Sequence, residues 1–232
     1  MHVRHLWLAA AVPLVAMSAC QAEGEATTLK DGDRIVFLGD SITQAGVDKK
    51  GYVTVIKNTL ANKHKSLKVE IIGAGISGNK VPDLQKRLQK DVLDKKPTLV
   101  VIYIGINDVW HGENDPARGT PKDKFEAGLK EIIGKIKDAG ARVIVCTPSV
   151  IGEKKAGANK LDAKLDEYSE VSRAVAKETG SKLCDLRKAF QEYLEKNNAI
   201  DKESGILTSD RVHLNEAGNK FVAETMLGVI EK

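Results

Sequence analysis

Five residues in this chain are of the types that acyl transfer requires: Ser41, His213, Asp210, Gly78 and Asn107. That chemistry uses a nucleophilic hydroxyl, a base for its proton, a carboxylate that orients the base, and N–H donors for the oxyanion. Ser41 follows Gly39-Asp40 at the carboxyl end of an apolar run, Ile35 to Leu38. Ser77-Gly78 closes a glycine-rich turn, and Asn107-Asp108 follows Gly105-Ile106. Asp210-Arg-Val-His213 stands before the last amphipathic stretch. Each piece has an ordinary structural use. Asp40 and Ser41 suit a helix cap, Asn107-Asp108 an Asx turn, and a lone histidine is often a satisfied surface residue. Together they supply every part of one mechanism, which unrelated caps and turns have no reason to do. The three-residue spacing of Asp210 and His213 puts both side chains on one face if the segment is a helical turn. Ser77 is not the nucleophile, because Gly75-Ile-Ser-Gly-Asn79 lacks the final glycine of a G-x-S-x-G elbow.

These residues need a scaffold that gathers them at one edge. Strand and helix signals alternate along the chain. Strands are expected at Arg34–Leu38, Leu67–Ile72, Thr98–Ile104, Arg142–Cys146 and Lys182–Cys184, the third the most apolar. Helices are expected at Gly51–Lys63, from Pro82 to Val92, at Pro121–Ala139, from after Asn159 to Thr179, at Leu186–Lys196 and at Asn215–Ile230. A loop is expected between Gly105 and Thr120. Strands separated by helices of this length make βαβ units and a parallel sheet covered on both faces. The expected architecture is a three-layer α/β/α sandwich, flavodoxin-like, with five parallel strands in the order 2-1-3-4-5. Ligands bind such sheets at the carboxyl ends of the strands, where all four chemical stretches lie.

In these four stretches the chain resembles the SGNH hydrolases, the GDSL-type lipases, esterases and acylhydrolases. Phe37-Leu-Gly-Asp-Ser-Ile-Thr43 looks like the nucleophile block, and Gly75-Ile-Ser-Gly78 like the glycine block, although the family often has Asn where Gly73 stands. Gly105-Ile-Asn-Asp108 matches the GxND block and Asp210-Arg-Val-His213 the DxxH block. The resemblance implies Ser41 as nucleophile, His213 as general base and Asp210 as its orienting carboxylate. It implies an oxyanion hole of the Ser41 and Gly78 N–H groups and the Asn107 amide. Asp40, Asp108, Trp110 and His111 are expected at the substrate, with Trp110 able to stack on a sugar or simply to pack. No metal or other cofactor is required. The implied activity is hydrolysis of a carboxylic ester with a short acyl group, acetylated carbohydrate first and lysophospholipid or another lipid ester second. An alternative of another class is a catalytically silent glycan-binding module using the same cleft.

Composition sets the limits on partners. The 232 residues are 42% hydrophobic and 29% charged, with 36 basic and 32 acidic residues well mixed, so one soluble domain is expected. Aromatics are only 4% and no basic run is interleaved with them, which argues against nucleic acid as a partner. Residues 1–19 read as a secretory signal peptide: a basic start at Arg4, an apolar run from Leu6 to Ala16, then small residues. Residues 20–32 read as a polar linker and 33–232 as the hydrolase domain. Met17-Ser-Ala-Cys20 resembles a lipoprotein cleavage motif, with Met17 where Leu is commoner. Both lipid anchoring at Cys20 and simple secretion stay open, and the chain is expected to be exported by either route. Cys146 and Cys184 lie in apolar strand-like runs and read as buried thiols, with a disulfide between them left open.

Overall fold

The computed structural model describes Met1 and residues 29–232. The expected signal peptide and most of the expected linker therefore lie outside the described residues. The chain forms β1 (Arg34–Gly39), α1 (Ser41–Ala45), α2 (Tyr52–Lys63), β2 (Glu70–Gly75), α3 (Val81–Asp91), β3 (Leu99–Tyr103) and α4 (Ile106–Trp110). It continues with α5 (Lys122–Asp138), β4 (Arg142–Cys146), α6 (Asp162–Glu178), β5 (Lys182–Cys184), α7 (Leu186–Asn197) and α8 (Glu216–Ile230). The five strands are all parallel, in the order β2-β1-β3-β4-β5. Helix α3 packs on α5 and α5 on α6, while α2 packs on α8 and α8 on α7. This is the three-layer α/β architecture expected from the alternation.

The centre of the sheet explains why its strands read as unbroken apolar runs. Every residue of β3 is buried, and so are Ile35, Val36, Phe37 and Leu38 of β1, because helices cover both faces. Truncating one of these side chains, Ile102→Ala for example, removes packing worth about 2–5 kcal/mol. Cys146 and Cys184 are register partners on β4 and β5, both buried and both free thiols.

Three boundaries differ from expectation. β2 runs from Glu70 to Gly75 instead of Leu67 to Ile72, because its ladder with β1 pairs Arg34 with Glu70 and ends with Gly39 opposite Gly75. Gly73 and Gly75, read with Gly78 as a turn, are strand residues; a Cβ on Gly75 would come 2.1 Å from the Gln44 nitrogen, so only glycine lets α1 lie across it. The segment after β3 is not all loop. Ile106–Trp110 forms a single helical turn, and Pro116–Arg118 a short 3₁₀ turn. Finally, packing begins before residue 33. Leu29 is buried, and Gly32 donates to the Lys68 carbonyl at 3.1 Å.

Candidate active site

All four chemical stretches emerge on the carboxyl side of the sheet. β1 ends at Gly39, and Asp40 caps α1, its Oδ1 accepting from the Ile42 N–H at 2.9 Å. The cap uses up Asp40 and leaves Ser41 as the first helical residue. The Ser41 hydroxyl lies 2.9 Å from His213 Nε2. On the far side of the ring, His213 Nδ1 lies 2.6 Å from Asp210 Oδ2. Serine, imidazole and carboxylate thus form one continuous hydrogen-bonded line.

The Asp–His segment is not the helical turn that the spacing suggested. Asp210 folds it through its own carboxylate: Oδ1 accepts from the Val212 N–H at 3.1 Å and from the His213 N–H at 2.8 Å. Arg211 between them adopts φ +83°, in the left-handed region. This tighter turn brings the two side chains together as a helix would have done. Burial alone would raise the Asp210 pKa, but the hydrogen bonds from His213 and Val212 outweigh it and hold the carboxyl below the usual range. Asp210 is therefore an anion facing the imidazole, the charge that stabilises an imidazolium when one forms.

The donors come from two neighbouring loops. Between β2 and α3, Ile76 donates to the Gly39 carbonyl at 3.2 Å and Ser77 to the Gln44 side chain at 2.7 Å, so the loop lies along the Ser41 turn. Gly78 there has φ +76°, a conformation that glycine adopts without strain. On α4, Asn107 is buried and its amide donates one N–H to the Asn79 carbonyl at 3.1 Å. An amide carries two donors, so the other is chemically available for an oxyanion.

Asp40 and Asp108, expected at the substrate, are turned toward the backbone. Both are buried, each 2% exposed, and their carboxylates serve the backbone. Asp108 Oδ1 accepts from the Val81 N–H at 3.1 Å, which ties α4 to the start of α3 and thereby fixes the Gly78 loop beside Asn107. Burial pushes Asp40 up to about 7 against the Ile42 N–H, and neighbouring Asp108 adds to the rise. Burial likewise pushes Asp108 up to about 6, opposed by the nearby Thr120 hydroxyl and the Val81 N–H. Asp108 Oδ2 and the Thr120 hydroxyl are nevertheless both buried without a partner in hydrogen-bond geometry.

Trp110 and His111 lie next to His213 and to the Gly78 turn respectively. The Trp110 ring stands 6.4 Å from the His213 ring, edge to face at 65°. A Cβ on Gly78 would lie 3.9 Å from His111 Cε1, so that imidazole flanks the Gly78 turn. Burial first, then the charges of Lys80 and Arg118, lower the His111 pKa. One residue here escaped notice in the sequence. Arg87 on α3 donates to the Gly39 carbonyl at 2.8 Å, the Asn79 side chain at 2.7 Å and the Ala74 carbonyl at 2.9 Å. It clamps the Gly78 loop to the strand that carries Ser41. A solitary arginine in an amphipathic helix gives no sign of this. Among the described residues, no cluster of His, Cys, Asp or Glu side chains could hold a metal ion.

The arrangement can take a proton from a serine hydroxyl, hold the resulting imidazolium and present neutral donors to a developing oxyanion. Comparison with known proteins identifies the family. The chain matches the GDSL-like Lipase/Acylhydrolase family over residues 37–221. It is similar to the acetylxylan esterase of Geobacillus stearothermophilus, 31% identical over 210 residues, covering 84% of this chain and 93% of that protein. It is also similar to the isoamyl acetate-hydrolyzing esterase 1 homolog of Rattus norvegicus, 25% identical over 232 residues, covering 93% of this chain and 88% of that protein. Among solved structures, the acetyl xylan esterase AlAXEase superposes with a TM-score of 0.82 at 45% identity, covering 85% of this chain and 99% of that one.

Proposed function

This chain belongs to the GDSL-like lipase/acylhydrolase family and is an ester hydrolase, and from that premise we propose that it removes acetyl groups from carbohydrate through Ser41, His213 and Asp210. The observation that carries the reading is the line from the Ser41 hydroxyl through the His213 ring to Asp210, at 2.9 and 2.6 Å. In this reaction Ser41 Oγ attacks the acetyl carbonyl while His213 Nε2 takes its proton. The Ser41 and Gly78 N–H groups and the Asn107 amide stabilise the oxyanion. The imidazolium then protonates the departing sugar oxygen, leaving an acetyl-serine. Water, deprotonated by the same ring, attacks that ester; as acetate leaves, the imidazolium returns the proton to Ser41 Oγ. Before each attack the Asp210 anion holds the neutral ring in the tautomer with its free nitrogen toward the nucleophile, and it stabilises the imidazolium that forms between.

Two observations favour an acetylated glycan. The relatives named above act, by their names, on acetyl esters, two of them on xylan. The site is also open, with the side chains of His213 and Asp210 37% and 52% exposed, so a polymer can lie across it. Trp110 beside His213 gives such a chain an aromatic surface to rest on. Residues 1–19 act as an export signal in this reading, with 33–232 as the hydrolase domain, placing the enzyme where polysaccharide is met. A panel of p-nitrophenyl esters and acetylated xylo-oligosaccharides tests it. Acetyl esters should turn over fastest and Ser41→Ala should be inactive. A preference for long acyl chains would move the substrate to lipids, and an active Ser41→Ala protein would end the mechanism.

A further inference from the structure

The Asp210–His213 turn lies between α7 and α8, in a stretch whose ladder pairing is one isolated bridge, Thr208 with Leu214. Arg211 within it holds a left-handed backbone, φ +83°, which a non-glycine residue keeps only where its surroundings over-determine it. Something outside the turn has to hold it.

Glu153, in the loop after β4, is fully buried. Its Oε1 accepts from the N–H groups of Leu207 at 2.6 Å and Thr208 at 2.5 Å, and its Oε2 from Ile206 at 2.8 Å. Three successive backbone donors of one loop thus converge on one carboxylate. The same segment grips the turn itself, since the Gly152 N–H donates to the Arg211 carbonyl at 2.9 Å. Glu153 is in turn fixed by its own backbone: its N–H donates to the Glu203 carbonyl at 2.9 Å, and its carbonyl accepts from the Asn198 amide at 2.7 Å. From Ile206–Thr208 the order passes along the loop. Asn215 donates to the Leu207 carbonyl at 3.0 Å and Ser209 to the His213 carbonyl at 2.8 Å.

Burying a carboxylate is costly unless its charge is met by hydrogen bonds. Here the bonds go to a loop, not to a helix or strand, and that loop's one chemical feature is the Asp–His pair. We propose that Glu153 is a positioning residue, whose carboxylate sets the 206–214 loop so that His213 meets Ser41 at reaction distance. The inference rests on the reading of His213 as the base for Ser41.

The test uses the full chain with Glu153→Gln and Glu153→Leu, at a temperature where circular dichroism shows each variant folded. Glutamine keeps the volume and one acceptor but turns an NH₂ toward the Ile206 N–H; leucine removes every acceptor. Misplacing a catalytic group by about 1 Å can cost on the order of 100-fold in rate. We expect kcat on p-nitrophenyl acetate to fall about 10- to 100-fold, with KM within about twofold. Labelling of Ser41 by a fluorophosphonate should slow in parallel, because it needs the same base. If the leucine variant does not fold, the glutamine variant carries the test. A wild-type kcat with only a lowered Tm, or a raised KM alone, overturns the proposal by making Glu153 a brace or a substrate contact. Ser41→Ala separates the two levels. If it is dead while Glu153→Gln is fully active, only the positioning role falls; if it is active, the underlying reading falls as well.

Discussion

The Ser41 hydroxyl, the His213 ring and the Asp210 carboxylate stand in one hydrogen-bonded line, so in the proposed reaction their contributions to rate are not independent. Removing Ser41 or His213 alone should abolish most turnover, and the double variant should be hardly slower than either single one. Multiplicative losses in kcat on an acetyl ester would show that the two residues do not work as a unit. Asp210→Asn should hurt less than losing Ser41, since an amide still touches the ring but does not stabilise its cation. In the proposed reaction Asn107 acts differently. Its amide is buried and already held by the Asn79 carbonyl, which aims it before substrate arrives. Asn107→Ala should therefore lower kcat by roughly 10² to 10³ while KM changes little. A variant with unchanged kcat and raised KM would make Asn107 a binding residue instead.

At the scale of elements, short turns at the strand ends hold these residues, and two buried carboxylates hold the turns. Asp40 caps α1 and Asp108 ties α4 to α3. Their burial has a pH signature. An aspartate in the unfolded chain ionises near 3.9, while folded Asp40 is pushed up to about 7. Between those values the folded state binds more protons than the unfolded one, so stability falls as pH rises through that window. Asn at position 40 still accepts from the Ile42 N–H and does not titrate. The Tm of Asp40→Asn should thus gain on the wild type between pH 4 and pH 8, by an amount on the order of 5 °C. Parallel Tm profiles for the two proteins would show that Asp40 does not titrate in that range. These two aspartates also mark where sequence reading stopped. Their types and places beside Ser41 and Asn107 were legible, but not their direction, because an inward cap and an outward ligand have the same spacing. The βαβ alternation was legible because strands and helices of ordinary length carry strong periodicity. Helix α4 was not, since five residues span little more than one turn and show no period. The glycine-rich end of β2 looked like a turn until its pairing with β1 was seen.

The whole molecule has a direction. Its strands are all parallel, so the site lies at one edge and the entry of the chain at the other. At the entry edge Leu29 is buried, and Asp33 accepts from Arg142 Nη2 at 2.8 Å and from the Thr98 hydroxyl at 2.6 Å. The six residues of β1 separate that edge from Ser41 by roughly 20 Å. If Cys20 carries a lipid, this geometry allows the domain to stand with its entry edge toward the membrane and its Ser41 edge away from it. That orientation suits an ester borne on an external polymer better than one within the anchoring bilayer. Anchored protein should then require detergent for extraction, and Cys20→Ser should release it with kcat/KM on a soluble acetylated xylo-oligosaccharide unchanged, because the changed atom lies far from the reacting ones. Wild-type protein recovered in the soluble extracellular fraction would rule out the anchor and leave simple secretion. A Cys20→Ser protein that is released but slower on the soluble substrate would mean that the tether, not only the domain, takes part in the reaction.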